Sequence, residues 1–262
     1  MSDDHGEFVA KQDEHFADAD ATHFAWQTRG AGFADREAGF LSNLLVDSGR
    51  PLLEIGCGEG ANLFHIESTP HDDGLAVGLD RSAGKLHFAS AAIPSARFVC
   101  ADGSALPYAD DTFETVIIRD VLHHIPTPAE TLAESARVLR PGGHFILAEP
   151  NAQSPLIRLQ MALVPAERGA ARSNEAWLRE LLSGLPLTDL RFAMAAPFPL
   201  DRVLLHPTFG MPRLGRSKRT LRALDAVEAL IGRLLGQARW SYVVGHARGA
   251  VCTGETPSRM RP

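Results

Sequence analysis

A short apolar strand that runs directly into a glycine-rich loop is the feature that most constrains the fold. Residues 52–55 read Leu-Leu-Glu-Ile, and residues 56–60 read Gly-Cys-Gly-Glu-Gly. Glycines allow the backbone to turn sharply and to approach a ligand closely at the N-terminus of the next helix. The loop also satisfies the relaxed dinucleotide-binding pattern, with Asp80 at about the spacing of a ribose-binding carboxylate. The segment therefore predicts a ligand-binding turn in an α/β sheet.

Further apolar strands alternate with helical patterns after this loop. Strands are predicted at 75–80, 96–100, 113–118 and 144–148, and helices at 61–68, 82–92 and 128–140. Ser82 and Thr127 are the expected helix caps, and Pro141-Gly142-Gly143 is expected to end the third helix. Alternating strands and helices favour a parallel sheet covered on both faces, with right-handed crossovers.

The segments outside this repeating core follow a different pattern. Residues 1–24 carry seven acids and one base without periodicity, so we predict a mobile or loosely docked arm. A helix is predicted from Phe33 to Leu45. Beyond Glu149 we expect a helix at 174–183, a strand at 187–194, an amphipathic helix at 219–237 and a last strand at 240–246.

Composition excludes several classes of protein. The 262 residues carry 26 basic and 32 acidic side chains, a net charge of −6 that does not suggest a nucleic-acid partner. No window is apolar enough to span a bilayer, and the acidic N-terminus does not resemble a secretory signal. Three scattered cysteines predict neither a disulfide framework nor a zinc cage. We therefore expect a cytoplasmic enzyme-like domain.

Four motifs in order carry a resemblance to a known family. They are LLEIGCGEG at 52–60, VGLD at 77–80, ADGSALPYADDTFETVIIRDVLHHI at 101–125 and RVLRPGGHFILAEPN at 137–151. The chain resembles class I S-adenosylmethionine-dependent methyltransferases, in particular the small-molecule group that includes quinone-biosynthesis methyltransferases. The resemblance implies a Rossmann-like, doubly wound α/β sheet of seven mostly parallel strands, with helices on both faces and the last strand antiparallel.

The resemblance also implies one methyltransferase domain over residues 1–262. Within it, residues 1–49 form an N-terminal arm and covering helix, 50–151 the cofactor-binding core, and 152–262 the substrate-side insertions and closing strands. Such a domain transfers a methyl group from S-adenosylmethionine to a small organic acceptor by in-line SN2 displacement. Two rival functions remain open: an NAD(P)-dependent oxidoreductase that uses the same crevice, and a non-catalytic binding protein that retains the fold.

Several carboxylates are expected to hold the cofactor at the carboxyl ends of the strands. Asp80 can accept hydrogen bonds from the ribose hydroxyls or cap the next helix, and Asp102 can accept from the adenine amino group or order a turn. Glu54 contacts the methionyl ammonium or orders its loop. The complete predicted cofactor site is Glu54, Gly56, Cys57, Gly58, Gly60, Asp80, Arg81, Asp102, Gly103, Ser104 and Arg119.

A general base is needed only where the acceptor atom must lose a proton. Candidates are Asp120, His123, His124 and Glu149, although in the resembling families a histidine of this segment often packs or hydrogen-bonds locally beside the cofactor. No third ligand with suitable spacing is evident beside the two histidines, so we predict no metal. Cys57 is expected to be a small residue that fills a tight turn rather than a reactive thiol.

The acceptor pocket is expected to form from residues 8–45, 151–172 and 195–238, which contain many apolar side chains. A lipophilic or aromatic acceptor is the hypothesis, and burial in an ordinary core is the alternative. The residues behind this hypothesis are Phe16, Phe24, Trp26, Phe33, Leu156, Met161, Trp177, Phe198, Leu204, Phe209 and Met211. The helix at 219–237 is expected to pack on its own domain or on a second subunit, with peripheral membrane contact as the alternative. The sequence leaves monomer and homodimer open.

Overall fold

The computed structural model describes residues 19–69, 74–207 and 210–251. Its strands form one seven-stranded sheet in the order β3-β2-β1-β4-β5-β7-β6. The strands are β1 (Leu52–Ile55), β2 (Ala76–Asp80), β3 (Arg97–Cys100), β4 (Phe113–Arg119), β5 (Leu139–Pro150), β6 (Leu187–Ala195) and β7 (Tyr242–Gly249). Strands β1 to β5 pair in parallel, and β7 runs antiparallel to both β5 and β6. The predicted Rossmann-like sheet with an antiparallel last strand is confirmed.

Nine α-helices lie within the described residues, joined by short 3₁₀ turns. The helices are α1 (Ala21–Arg29), α2 (Phe33–Leu44), α3 (Ala61–Ser68), α4 (Ala83–Ala92), α5 (Pro128–Val138), α6 (Pro155–Leu163), α7 (Glu175–Leu182), α8 (Asp201–Leu204) and α9 (Lys218–Leu235). The 3₁₀ turns are Leu122–His124, Pro165–Arg172, Pro212–Arg216 and Gln237–Arg239. Among these elements, no helix combines the length and the apolar character that a membrane span requires.

The sheet is covered on both faces because alternate residues of its strands enter two different cores. In β4, Val116 and Ile118 belong to one apolar cluster and Ile117 to the other. In β5, Phe145 and Leu147 lie on the first side, whereas Ile146 lies on the second. This two-sided burial is why the strands read as nearly continuous apolar runs rather than alternating ones.

Three local predictions differ from the structure. The third predicted helix ends at Val138 rather than near residue 140, and Pro141-Gly142-Gly143 lies inside β5. That stretch coincides with a register shift between β4 and β5, where Gly142 adopts a φ of +77°. Thr127 stands at the N-cap position of α5, but its hydroxyl donates to Glu130 instead of capping the backbone.

The predicted arm at 1–24 overlaps the first described helix. Helix α1 begins at Ala21, because the Asp20 carboxylate accepts hydrogen bonds from the backbone N–H groups of Thr22 and His23. The rest of the arm, up to residue 18, lies outside the described residues.

The sheet topology positions a crevice for a ligand. Strands β1 and β4 are neighbours, and the chain leaves β1 toward one edge of the sheet and β4 toward the other. Ligands of open parallel sheets bind beyond the carboxyl ends of the strands at such a switch point. Residues that follow β1, β2, β3 and β4 therefore meet at one place.

Candidate functional site

A cavity of about 1670 Å³ opens at this switch point. The residues that line it come from the ends of β1, β2, β3 and β4, and from α1, α4, α6 and α8. Among the predicted site residues, it is lined by Gly56, Cys57, Gly58, Asp80, Arg81, Asp102, Gly103, Ser104, Arg119, Asp120, His123 and His124. Glu54 and Gly60 are the two predicted residues that do not line it.

The glycine loop turns through left-handed backbone conformations that favour glycine. Gly56, Gly58 and Gly60 have φ values of +74°, +52° and +81°. A Cβ at position 56 would lie only 2.4 Å from Cγ2 of Val121, so the loop packs directly against the segment that follows β4. Position 56 therefore requires glycine both for its conformation and for its close packing.

Asp80 ties the end of β2 to the glycine loop. Its Oδ2 accepts a hydrogen bond from the Gly58 N–H at 2.9 Å, and its Oδ1 accepts one from the Ser82 N–H at 2.9 Å. Ser82 in turn caps α4, as predicted. This geometry is compatible with both predicted roles of Asp80, binding of ribose hydroxyls and capping of the next helix. Each carboxylate oxygen has two lone pairs and accepts one hydrogen bond from the described residues.

Glu54 is buried directly before the loop. Its Oε1 accepts a hydrogen bond from Asn62 Nδ2 at 2.6 Å, and Asn62 lines the cavity. Its Oε2 is buried with no hydrogen-bond partner within the part of the chain that the structure describes. Burial raises the pKa of Glu54 to about 7, although Asn62 and Arg119 act in the opposite direction. An unsatisfied buried carboxylate of this kind favours a positively charged group nearby.

Asp102 orders the turn after β3. Its Oδ1 accepts hydrogen bonds from both the backbone N–H and the hydroxyl of Ser104, and these bonds lower its pKa. Arg81 Nε lies 4.0 Å from Asp102 Oδ2. Gly103 lies close to Thr131, where a Cβ would approach the threonine methyl to 3.0 Å. The turn role of Asp102 is thus observed, and its adenine-binding role stays a prediction.

Cys57 is a buried thiol in the middle of the loop. Burial, reinforced by the carboxylates of Glu54 and Asp80, raises its pKa well above the ordinary value. A protonated thiol is a poor nucleophile, so the geometry agrees with the expected packing role.

A buried ionic network lies beneath the crevice. Arg119 donates to Glu37 Oε2 at 2.6 Å and to Asn62 Oδ1 at 3.0 Å, and Arg202 donates to Glu37 Oε1 at 2.9 Å. The two guanidinium groups lower the pKa of Glu37 to about 2. Arg119 therefore braces α2 against the end of β4, and its predicted cofactor contact stays a prediction.

Sequence reasoning missed Glu37 and Arg202, although the sequence holds a signal for the first. Glu37 lies four residues after Phe33 and four before Leu41, which places it on the buried face of α2. A charged residue on an apolar face normally has a buried partner. The identity of the partner could not be read from the sequence, because Arg202 is 165 residues away.

Asp120 sits directly after β4 with a left-handed φ of +56°. Its Oδ2 accepts a hydrogen bond from the Tyr242 hydroxyl at 3.0 Å, and burial raises its pKa. Because Tyr242 begins β7, this bond links the two halves of the chain at the floor of the cavity.

The two adjacent histidines lie in opposite electrostatic environments. His123 Nδ1 is 2.7 Å from Glu149 Oε2, and Glu149 also accepts hydrogen bonds from the backbone N–H groups of Val121 and Leu122. Despite burial, Glu149 raises the pKa of His123 to about 10. Burial and the neighbouring charged His123 lower the pKa of His124 to about 4. At neutral pH, His123 is therefore an imidazolium and His124 is neutral.

Glu167 joins this pair from the 3₁₀ turn after α6. Its Oε2 lies 3.6 Å from His123 Nε2, and the potential ligand atoms of His123, His124 and Glu167 all lie within 4.8 Å of one another. The fold thus brings a third potential metal ligand, Glu167, to the two histidines, which the spacing in the sequence did not reveal. Glu167 is explained as a partner of the charged His123, and the absence of a metal stays a prediction.

Apolar side chains line the other half of the cavity. Leu156, Ile157, Met161 and Leu163 of α6 contribute to it, together with Trp26. Of the residues expected in an acceptor pocket, Trp26, Leu156 and Met161 line the cavity. Phe24 and Phe33 belong instead to apolar core clusters, Trp177 packs against one, and Phe16 and Phe209 lie outside the described residues.

Comparison with known proteins points to one class of domain. Residues 53–147 match a family model described as a methyltransferase domain. A demethylmenaquinone methyltransferase of Renibacterium salmoninarum is 37% identical over 113 residues, which are 40% of this chain and 46% of the relative. A phthiotriol/phenolphthiotriol dimycocerosates methyltransferase of Mycobacterium tuberculosis is 31% identical over 140 residues, 52% of this chain and 51% of the relative. The chain thus spans about half the length of the curated relatives it matches.

A solved structure shares the fold over a larger part of the chain. It is described as a SAM-dependent methyltransferase, and possible histamine N-methyltransferase, from Thermotoga maritima. Its TM-score is 0.63 and its sequence identity 15%, and the match covers 92% of this chain and 99% of that one. At this identity the likeness concerns the fold alone.

Proposed function

We propose that this protein is a class I, S-adenosylmethionine-dependent methyltransferase and that it methylates a small organic acceptor of lipophilic or aromatic character. The acceptor atom attacks the methyl carbon in line with the bond that breaks. The methyltransferase activity is supported by the family match over residues 53–147, and the fold shared with a solved methyltransferase structure is compatible with it. The acceptor class goes beyond both, and it rests on the cavity.

One observation carries the proposal: the cavity is continuous from the glycine loop to the apolar face of α6. Its volume of about 1670 Å³ exceeds the roughly 300–1,000 Å³ typical of a pocket for one ligand. Asp80 and Asp102 line one part, and Leu156 and Met161 line another. A cavity of this size and mixed lining accommodates a polar cofactor and an apolar acceptor side by side.

The residues at the polar end fit S-adenosylmethionine. Glu54 does not line the cavity, but Asn62, which donates to its Oε1, does, so the buried carboxyl can attract the cofactor's ammonium group from behind the cavity wall. Asp80 lines the cavity and retains lone pairs for ribose hydroxyls. The crowded, left-handed turn at Gly56 brings the backbone of the glycine loop to the cavity wall. When bound, the cofactor supplies an electrophilic methyl group, so the chain needs no nucleophile of its own.

The chain's own residues position the acceptor and receive its proton. His124 lines the cavity and is neutral at physiological pH, so it is the histidine of the pair that can accept a hydrogen bond or a proton from the acceptor. Its pKa of about 4 makes it a weak base, suited to an acceptor that is itself acidic. His123 is already protonated and can only donate, which makes it the poorer base of the pair. Helix α6 lines the apolar end, where its side chains would contact the acceptor.

The overall charge of −6 supports a small-molecule partner rather than a nucleic acid. We further propose that the protein acts in the cytoplasm as one domain, either as a monomer or as a homodimer. Light scattering of the purified chain measures the oligomeric state directly.

A labelled-methyl experiment tests the function. The protein is incubated with S-adenosylmethionine carrying a deuterated methyl group and with extracts that contain lipophilic metabolites. Mass spectrometry is expected to find one acceptor that gains the labelled methyl, which identifies both substrate and atom type. A highly polar labelled product would contradict the proposed acceptor class.

Calorimetric titration separates the rival functions. The proposal requires binding of S-adenosylmethionine, whereas the oxidoreductase hypothesis requires binding of NAD(P). Binding of NAD(P) alone would overturn the proposal. A protein that binds the cofactor but labels no acceptor would be a binding protein that retained the fold.

A further inference from the structure

Helix α9 presents a second apolar stripe on the side that faces away from the protein. Its inner face packs through Leu224 and through Gly232, which lies against Pro197. On the outer face, Val227, Leu230 and Leu234 are 44%, 56% and 78% exposed. These three residues follow one another at intervals of three and four, so they form one continuous stripe. Packing on its own domain therefore explains the inner face of this helix but not the exposed apolar stripe.

Basic side chains accompany the stripe. Exposed Arg222 and Arg233 are eleven residues apart, which places them on one face of α9 beside the stripe, and Arg219 lies at its N-terminal end. The acids of the helix, Asp225 and Glu228, both pair with Arg36 of α2. The segment 211–239 carries seven basic and two acidic residues. The outer surface of α9 is thus both apolar and positively charged.

Exposed apolar side chains also lie at the rim of the cavity. Leu159 and Leu163 of α6 are 55% and 72% exposed, and both line the cavity, as does Val203. Met211, which is exposed, hydrogen-bonds to the backbone of Leu204 and leads into the turn before α9. Exposed apolar side chains thus occur at the cavity rim, in the segment that leads into α9 and on α9 itself.

We propose that this surface, formed by α9 and the exposed rim of α6, docks on an anionic lipid bilayer from which the apolar acceptor enters the cavity. An amphipathic helix with an apolar stripe and flanking arginines lies in the membrane interface, and its affinity combines buried apolar area with attraction to anionic headgroups. Charge complementarity favours a bilayer over a second copy of this chain, because two such surfaces facing each other would bring their arginines together. The inference rests on the proposed function for the apolar character of the acceptor.

Vesicle flotation with the full-length protein tests the docking without requiring turnover. Vesicles of phosphatidylcholine with about one third phosphatidylglycerol are expected to carry the protein upward at low salt, and pure phosphatidylcholine vesicles much less. Binding should fall as salt is added, because basic residues supply part of the attraction. Failure to float with anionic vesicles at low salt would overturn the proposal.

Surface variants identify the docking face. Leu230→Glu and Leu234→Glu are expected to abolish flotation, and Arg222→Glu to weaken vesicle partitioning about fivefold or more. Val46→Glu and Arg97→Glu are the matched controls, since both positions are exposed. Val46 lies in the turn between α2 and β1, and Arg97 begins β3, so both precede strands whose opposite ends form the crevice. Equal losses in the controls and the α9 variants would contradict the assignment. Circular dichroism confirms that each variant is folded.

Two further results separate this inference from its rivals. A dimer in light scattering that Leu230→Glu dissociates would make a second copy the occupant of the stripe and overturn the proposal. Vesicle binding that fails while a labelled methyl product still forms would remove the docking surface and leave the proposed function standing. Vesicle binding with no methyl product would support the surface and remove the proposed function.

Discussion

The buried carboxyl of Glu54 predicts that cofactor affinity depends on pH in a defined window. In the protein without ligand, burial raises the pKa of Glu54 to about 7, so the carboxyl is mostly protonated under mildly acidic conditions. A cationic ammonium group near Glu54 favours the ionised form. Binding therefore requires the loss of a proton, and the apparent affinity scales with the ionised fraction.

The magnitude follows from the pKa. With a pKa of about 7, about 3% of Glu54 is ionised at pH 5.5 and about half at pH 7. The apparent Kd for S-adenosylmethionine should therefore fall by up to about 15-fold between these two values, or about 1.6 kcal/mol. The cofactor's own α-amino group, with a pKa near 8, stays protonated over this range. His123 and His124, with pKa values of about 10 and about 4, do not titrate between pH 5.5 and pH 7.

Titration calorimetry from pH 5.5 to 7 measures this dependence, and buffers of different ionisation enthalpy report the released proton. Glu54→Gln keeps the shape of the side chain and an acceptor for Asn62, and it should bind with little pH dependence. A wild-type Kd that stays constant over the window would refute the reasoning. If Glu54→Gln keeps the full slope, another group is responsible, and Asp120→Asn is the variant that tests the next raised carboxyl.

The same shift has a consequence for the stability of the ligand-free protein. Because the folded pKa of Glu54 lies above the unfolded value of 4.5, the folded state binds the proton more tightly. The unfolding free energy should therefore fall as pH rises from 4.5 through 7, by up to about 3 kcal/mol from this group. Because the lowered pKa of His124 changes the stability in the opposite direction, the check is the difference between two proteins. Denaturant unfolding at pH 5 and pH 8 should show that the wild type gains less, or loses more, stability with rising pH than Glu54→Gln.

Three further substitutions probe the loop and the ionic network. Gly56→Ala should lower the free energy of unfolding, measured with denaturant, by more than Gly142→Ala does. Both positions have a positive φ, but only the new methyl group at position 56 would meet a neighbouring side chain. Equal losses of stability would exclude crowding as the cause. Asp80→Ala should weaken S-adenosylmethionine binding by about 1–3 kcal/mol in calorimetry, and unchanged affinity would remove it from the site. Glu37→Gln removes the nearest charged partner of the buried Arg119 and leaves it only Asp120, at 3.5 Å, among the described residues. It should lower the unfolding free energy by about 3 kcal/mol, and a loss under about 1 kcal/mol would show that the pair is dispensable.

The elements of the core could be read from the sequence because their signals are local. Helix α3 has its predicted bounds, and strand β2 differs by one residue, since apolar runs and the glycines that end them fix these boundaries. The stretch at Pro141-Gly142-Gly143 could not be read in this way. Its residues are typical of a turn, but pairing with β4 draws them into an irregular part of β5.

The residues of the site also fall into two groups, those that the local sequence predicts and those that only tertiary packing brings together. Residues that follow strands in sequence, such as Asp80, Asp102 and His124, were predictable, because parallel strands carry their C-terminal residues to one edge of the sheet. All three line the cavity. Glu167 and Arg202 were not predictable, because they reach the cavity from segments whose packing no local pattern specifies.

The sequence by itself determined the order of strands and helices, the position of the glycine loop and the identity of those crevice residues that lie at the ends of strands. Tertiary structure alone decided their charge states. His123 and His124 are neighbours of the same type, yet Glu149, 26 residues beyond His123, keeps the first protonated while burial and that charge keep the second neutral. Ionisation depends on solvent exclusion and on the charges within a few ångströms, and both arise only when distant segments pack together.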